Sequence, residues 1–275
     1  MRVASVGMTD VGLKRGHNED NYLINDELSL FVVADGMGGH AGGEYASAIC
    51  VTTVEEIIST MEIHEDVGEG AGDIIEIQGE RIRYAIRLAG RRIFEKANEE
   101  REFHGMGTTA VAVLLSTNHA FVAHVGDSRV YRKRNGVLEQ LTEDHSLVNE
   151  KLKAGLITEE EARNHKMRNV ITRSLGYQEE VEVDLGVVPV EPGDEFILCS
   201  DGLSGHLDGE ELGAELHGSL LESARRMVEI ACQRGGEDNI TVIVVSVTNG
   251  LDVRLSAKPA ESMRRPMGAD TIPPV

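Results

Sequence analysis

Apolar residues along this chain follow two rhythms. Short runs rich in Val and Ile, namely "RVASVGM", "NYLI", "SLFVVAD", "TTAVAVLLS", "HAFVAHVGD", "DEFILCSD" and "ITVIVVSV", are bounded by turn residues and predict strands. Several are apolar at every position instead of alternating, so both faces of their sheets are expected to be covered. Three longer segments repeat apolar residues at three- and four-residue spacing and predict helices: "GEYASAICVTTVEEIISTM", "RIRYAIRLAGRRIFEKANEER" and "SLLESARRMVEIACQRG". The last opens with Ser219 three residues before Glu222, the pattern of a capping box. The helices are grouped between runs of strands. That order favours an α+β layered fold over a doubly wound sheet.

Some stretches carry neither rhythm. Residues 62–80 are acidic and Gly-rich and read as an exposed connection. Residues 145–177 are polar with a helical tendency, Thr158 capping toward Glu161, and read as an insertion between strand groups. Residues 249–275 are aperiodic and contain Pro and Ala, the pattern of a flexible tail. The chain therefore reads as one domain over residues 1–248 followed by that tail.

Composition narrows the possibilities. A chain of 275 residues, 41% of them apolar, is long enough for a proper core. Trp is absent and aromatics are few, so Val, Ile, Leu and Ala must build it. With 47 acidic against 27 basic residues, the net charge of −20 opposes sequence-independent binding to nucleic acid or to an anionic membrane. No apolar run approaches the roughly 18 residues needed to span a membrane. The N-terminus lacks the apolar core of a signal peptide. Cys50, Cys199 and Cys232 are far apart and form no CxxC, as expected of reduced thiols in a cytoplasmic protein. A monomer is expected.

The stretch "VVADGMGGHAGGEYAS" changes the picture. An apolar run ends on Asp35 and breaks into glycines. The same placement recurs. Asp127 follows "FVAHVG", Asp201 follows "EFILCS", Asp238 precedes "NITVIVV", and Glu19 and Asp20 precede "NYLI". In a layered sheet fold such strand ends can converge on one edge. Gathered carboxylates repel one another and are expensive to desolvate, so the cluster calls for a cation. Oxygen-only ligands suit Mg²⁺, Mn²⁺ or Ca²⁺, and the scattered cysteines give no support to zinc. Gly36, Gly38 and Gly39 let the backbone turn sharply after Asp35 and approach an ion. The run lacks the GK[ST] ending of a P-loop.

Eight stretches together carry a family resemblance: "RGHNEDNY", "VVADGMGGHAGG", "GMGTTAVAVLL", "HVGDSRVY", "LTEDHSLV", "ITRSLG", "FILCSDGLSGHL" and "GGEDNITVIVV". In this order, over about residues 1–248, they resemble the metal-dependent Ser/Thr protein phosphatases of the type 2C (PPM) family, in its bacterial form. The resemblance implies an α-β-β-α sandwich of two antiparallel-rich sheets flanked by helices. It implies a centre of two Mn²⁺ or Mg²⁺ ions, with a third, weaker one. By motif, Asp20, Asp35, the Gly36 carbonyl, Asp201 and Asp238 match metal-binding positions. Glu19 matches an acidic position that holds metal-bound water, Arg15 the arginine that binds substrate phosphate, and Asp127 a ligand of the third metal. Residues 145–177 match a flap beside the site.

The implied activity is hydrolysis of phosphoserine and phosphothreonine in proteins by a metal-activated water, in opposition to a Ser/Thr protein kinase. Two such ions can lower the pKa of a shared water, and a guanidinium can hold two phosphoryl oxygens at once. No nucleophilic Cys or Ser is required. One departure from the eukaryotic pattern is Met37 where many members have His. His40 lies nearby but reads better as a structural or exposed imidazole, which leaves the proton donor to a metal-bound water. Two other readings compete. One is a catalytically weak phosphoprotein-binding regulator on the same fold, which loss of metal-site aspartates would signal. The other is a passive Ca²⁺ module, which would show a D-x-D-x-D-G loop that this chain lacks.

Overall fold

The computed structural model describes residues 2–38, 42–61, 71–116, 118–163 and 165–248. Its strands are β1 (Arg2–Asp10), β2 (Asp20–Asn25), β3 (Leu30–Met37), β4 (Gly107–Thr108), β5 (Ala110–Ser116), β6 (His119–Val125), β7 (Arg129–Arg134), β8 (Val137–Gln140), β9 (Asp184–Pro189), β10 (Glu195–Cys199) and β11 (Ile240–Thr248). Its helices are α1 (Gly42–Thr60), α2 (Ala71–Glu99), α3 (Leu147–Lys153), α4 (Glu159–Arg163), α5 (Asp201–Ser204), α6 (Gly209–Glu215) and α7 (Leu220–Gln233). One antiparallel sheet runs β1-β11-β10-β7-β8. The other runs β2-β3-β5-β6-β9, with β4 paired to β3. The expected sandwich is what forms.

Three apolar layers explain why the central strands are apolar throughout. Successive side chains on a strand face opposite sides. In β3, Phe31 and Val33 point between the sheets and meet Phe196, Leu198, Ile243 and Val245. Leu30, Val32 and Ala34 of the same strand face outward onto α1 and α2. On the other sheet Ile197, Val242 and Val244 face outward onto α6 and α7. Each central strand is therefore buried on both sides. Helix α7 starts as expected: Ser219 accepts from the Glu222 N–H while the Glu222 carboxylate accepts from the Ser219 N–H. None of the described helices is long and apolar enough to cross a membrane.

Some expectations need correction. Residues 71–80 are not part of an exposed connection but the first turns of α2. There Gln78 and Gly79 are buried. The Gln78 amide donates to Ser116 Oγ at 3.2 Å, and a Cβ on Gly79 would lie 2.8 Å from Leu185 Cδ2. Tertiary packing outweighs the weak helix propensity of this Gly-containing stretch. Strands β7, β8 and β9 had no apolar signature. The last two are sheet edges, half in solvent. Charged β7 is stabilised by pairing, since Arg134 donates to both carboxylate oxygens of the buried Asp194 at 2.7 and 2.6 Å.

The polar segment 145–177 is helical where its pattern suggested. Ser146 caps α3 by accepting from the Asn149 N–H, and Thr158 and Glu161 bond reciprocally at α4. Isolated bridges tie the segment down at Ser146–Ile171 and Thr108–Leu175. All three cysteines are free thiols; Cys50 and Cys199 are buried, and Cys232 is half-buried. The expectations for His40 and for residues 249–275 lie outside the described residues.

Phe31 is wholly buried between the sheets, whereas Val137 on edge strand β8 is 69% exposed. Phe31→Ala is expected to lower unfolding free energy by about 3–5 kcal/mol, and Val137→Ala by no more than about 0.5 kcal/mol. Urea titration of both variants checks this.

Candidate functional site

Sheet register assembles the site. Antiparallel pairing of β2 with β3 sets Asp20 directly opposite Asp35. Strands β10 and β11 also run antiparallel, so the exit of one and the entry of the other share an edge. Asp201 leaves β10 there, and Asp238 leads into β11. Ser200 fastens the two: its N–H donates to Thr241 O at 3.1 Å and its Oγ accepts from the Thr241 N–H at 3.0 Å. Asp127 arrives from the turn after β6. Of the eight sequence-predicted positions, seven line one cleft of about 540 Å³: Arg15, Glu19, Asp35, Gly36, Asp127, Asp201 and Asp238. Asp20 is buried behind the wall of the cleft, where its Oδ2 accepts from Ser200 Oγ at 2.8 Å.

The glycines answer a packing demand. A Cβ on Gly36 would stand 2.1 Å from Gly43 O and 2.5 Å from Glu19 O. A Cβ on Gly43 would stand 2.6 Å from Glu19 Oε1. Only bare backbone lets the first turn of α1 and the Glu19 loop close against the exit of β3. Gly36 N–H then donates to Glu19 O at 3.2 Å.

The carboxylates are held against their own repulsion. Burial, opposed in part by hydrogen bonds from Thr241 and Ser200, pushes Asp20 up to about 7, and the charges of Asp201 and Asp238 add to this. Burial, then Asp20, Asp201 and Asp127, holds Asp35 well above the usual carboxylate range. Asp127 is pushed up to about 8 by burial and then by Asp201 and Asp144. Asp201 is raised by burial and by Asp238. Glu19 Oε1 and Asp20 Oδ1 are buried with no hydrogen-bond partner. Unpartnered, desolvated, oxygen-only donors of one charge sign fit hard divalent cations. The one basic group in direct contact with the acidic cluster, among the described residues, is Arg15. Its Nη2 donates to Asp238 Oδ2 at 2.7 Å, and its side chain is half exposed at the cleft mouth.

Several residues essential to this arrangement had no signal beyond their neighbours. Asn239 pins the β1–β2 loop at three backbone points: its Oδ1 accepts from the Glu19 N–H at 2.8 Å, and its Nδ2 donates to Val11 O and His17 O. Thr109 Oγ accepts from the Asp35 N–H at 3.1 Å, while Asp35 O accepts from Thr108 Oγ and the Thr109 N–H. Ser47 Oγ donates to Glu19 O. His17, Asn169 and Ile171 complete the mouth. Met37 lies on the wall. The buried Cys50 and Cys199 thiols are both pushed up to about 12 by burial, so neither supplies a thiolate near neutral pH.

Known proteins are similar to this chain in sequence and in fold. The family model described as protein phosphatase 2C matches residues 14–241. The serine/threonine phosphatase stp of Listeria monocytogenes is 40% identical over 242 residues, covering 86% of this chain and 93% of that one. The crystal structure of the Mycobacterium tuberculosis serine/threonine phosphatase PstP/Ppp superposes with a TM-score of 0.80 at 35% identity, covering 90% of this chain and all of that one. A structure of the PstP catalytic domain in complex with two manganese ions superposes with a TM-score of 0.78 at 34% identity, covering 90% and 99%. With the sandwich, the carboxylate edge and these matches agreeing, the chain belongs to the protein phosphatase 2C family.

Proposed function

We propose that this chain hydrolyses phosphoserine and phosphothreonine in proteins, at a centre of two divalent cations, Mn²⁺ or Mg²⁺, on the carboxylate edge. The observation that carries this reading is the convergence of four aspartates, Asp20, Asp35, Asp201 and Asp238, on one edge without enough positive charge to balance them. The activity of the listerial and mycobacterial relatives, as their names state it, supports the reading. Asp35, the Gly36 carbonyl, Asp201 and Asp238 are the ligands facing the cleft, with Asp20 behind them. Asp127 serves a third, weaker ion. When bound, the cations supply a water of lowered pKa and positive charge beside the phosphoryl oxygens.

The protein's own groups do the rest. Arg15 is half exposed and, among the described residues, is anchored only at Asp238, so it can turn its planar guanidinium onto two phosphoryl oxygens of the substrate. Glu19, with Oε1 unpartnered, accepts a hydrogen bond from the attacking water and orients it. The bond from water oxygen to phosphorus forms in line as the bond to the Ser or Thr oxygen breaks, and that oxygen takes up a proton. The cleft opens between Arg15 and the segment 145–177, which serves as a flap. A phosphoprotein surface fits there, and an opposing Ser/Thr kinase supplies it. The chain acts as a monomeric catalytic domain over residues 1–248, in the cytoplasm.

Three outcomes test this reading. First, chelation should abolish hydrolysis of a phosphothreonine peptide and Mn²⁺ should restore it, while Asp201→Asn should lower kcat at least about a hundredfold with the fold kept. Full turnover after exhaustive chelation and metal analysis would overturn the metal centre. Second, Arg15→Ala should raise KM by about tenfold or more, the worth of a charge-assisted hydrogen bond, with metal binding intact. Lys at position 15 should rescue it only in part.

Third, cation binding should reshape stability against pH. Carboxylates whose folded pKa lies above the unfolded value bind more protons when folded, so stability is lost as pH rises through the folded pKa. Asp20 at about 7 and Asp127 at about 8, against the ordinary 3.8, place that loss between about pH 4 and pH 8. The Tm of the metal-free chain should therefore fall over this range. Saturating Mn²⁺, which favours the ionised forms, should raise Tm most at pH 8. Calorimetry at both pH values, with and without the ion, reads this directly.

A further inference from the structure

Asp127 enters the cleft from a turn that is gripped from behind. Gly126 has φ +105°, a left-handed conformation, and a Cβ there would meet Thr109 Cγ2 at 2.6 Å. Such a turn has no side chain of its own to fix it. Both backbone groups of Gly126 are instead taken by one residue. Its N–H donates to His145 Nδ1 at 3.1 Å, and its carbonyl accepts from the His145 N–H at 2.9 Å. The other ring nitrogen, His145 Nε2, faces Asp184 Oδ2 at 3.4 Å. Arg173 Nη1 donates to Asp184 Oδ1 at 2.5 Å, and the Thr172 N–H donates to His145 O at 2.8 Å. His145 thus stands where the β6 turn, strand β9 and both ends of the segment 145–177 meet.

This neighbourhood also has the spacing of a metal site, because ligand atoms of His124, His145 and Asp184 lie within 4.8 Å of one another. Proton counting argues against that use. A neutral imidazole carries one N–H. His145 Nδ1 is accepting from Gly126, and Arg173 Nη1, 3.2 Å from Nε2, spends its two N–H groups on Asp184 Oδ1 and the Glu182 carbonyl, so the proton sits on Nε2 and points to Asp184. Offering Nε2 to a metal would move that proton to Nδ1, against the Gly126 N–H. His124 and His145 are stacked, 4.8 Å between centroids at 16°, so their in-plane lone pairs do not converge on one point. The guanidinium of Arg173 already neutralises Asp184. What remains is a hydrogen-bonded chain from carboxylate to imidazole to backbone amide. Burial lowers the His145 pKa, with His124 and Arg173 adding to it, which keeps the ring neutral and Nδ1 an acceptor.

We infer that His145 is a positioning residue for the phosphatase reaction: backed by Asp184, it clamps the Gly126–Asp127 turn so that the Asp127 carboxylate faces the cleft. The inference rests on the reading of that cleft as the phosphatase centre. The clamp acts through another residue, as the outer hydrogen-bond partners of metal ligands do. Because Thr172 and Arg173 hold the same histidine, the base of the flap and the aim of Asp127 are one mechanical unit.

Two substitutions separate the two ends of the ring. Asn at position 145 places an acceptor oxygen near the Nδ1 position and loses the reach to Asp184. Gln reaches toward Asp184 but leaves no acceptor at Nδ1. In the full chain with saturating Mn²⁺ and a phosphothreonine peptide, His145→Gln is expected to lower kcat by about tenfold with KM within about twofold, and His145→Asn to stay within about threefold of the parent. The second readout needs no activity: hydrogen exchange at the Gly126 amide should accelerate in His145→Gln and remain slow in His145→Asn, with melting temperatures recorded for both. Equal loss in the two variants would overturn the clamp, as would unchanged kcat in His145→Gln with a freely exchanging Gly126 amide. A zinc equivalent bound by the parent outside the cleft and lost in both variants would replace it with a metal site. A parent inactive on every phosphopeptide would sink the phosphatase reading instead, and the exchange difference would still report on the clamp.

Discussion

The structure depends on one electrostatic constraint. Aspartates from five separate segments, at strand ends of both sheets, are brought out of water to the same end of the sandwich, and they repel. Such a cluster persists only where the surrounding fold over-determines it and where counter-charge is available. Each neighbouring feature answers that demand in part. Ser200 and Thr241 hydrogen-bond Asp20, Arg15 neutralises Asp238, and Asn239 and Ser47 hold the Glu19 loop by its backbone. The partners stop short of completing the set: Glu19 Oε1 and Asp20 Oδ1 stay buried without a hydrogen-bond partner, a donor chemistry that suits hard cations.

The sandwich supplies the rigidity. Phe31, Phe196 and Ile243 lock the two sheets face to face, while α1 with α2 and α6 with α7 seal the outer faces. A close-packed interior resists small displacements, so strand ends projecting from it are held to fixed separations. Antiparallel register then does the placing, as where Asp20 stands across from Asp35. Repulsion at the edge is tolerated because it is spread over elements whose cores are independently stable. A phosphatase uses that stored repulsion as affinity for the ions it needs.

Charge elsewhere has a different role. A net charge of −20 works against approach to other anionic chains, yet the cleft must attract a phosphorylated one. Loaded cations and Arg15 reverse the sign locally. Behind the cleft, the half-buried Arg129–Asp144 pair, with bonds of 2.7 to 3.1 Å, and the His145–Asp184 contact stiffen the wall that carries Asp127. Polar side chains support the site from outside, and apolar layers support it from within.

Much of this was legible in the chain itself. Fully apolar runs such as "SLFVVAD" and "ITVIVVSV" can be buried only on both faces, which implies covered sheets and hence the layered fold. Aspartates recurring at several such ends, beside glycines, implied cations, because gathered carboxylates repel one another unless a counter-charge is present. Tertiary structure decided the rest. The first ten residues of α2 read as loop until Gly79 met Leu185 and Gln78 met Ser116. Charged β7 became a strand only because Asp194, sixty residues away, was waiting for Arg134. Asn239 and His145 act on loops remote in sequence, through backbone groups of those loops, and contacts of that kind leave no periodicity or composition to read. A local pattern reports what a segment needs to bury; which distant group receives it is settled only when the segments pack.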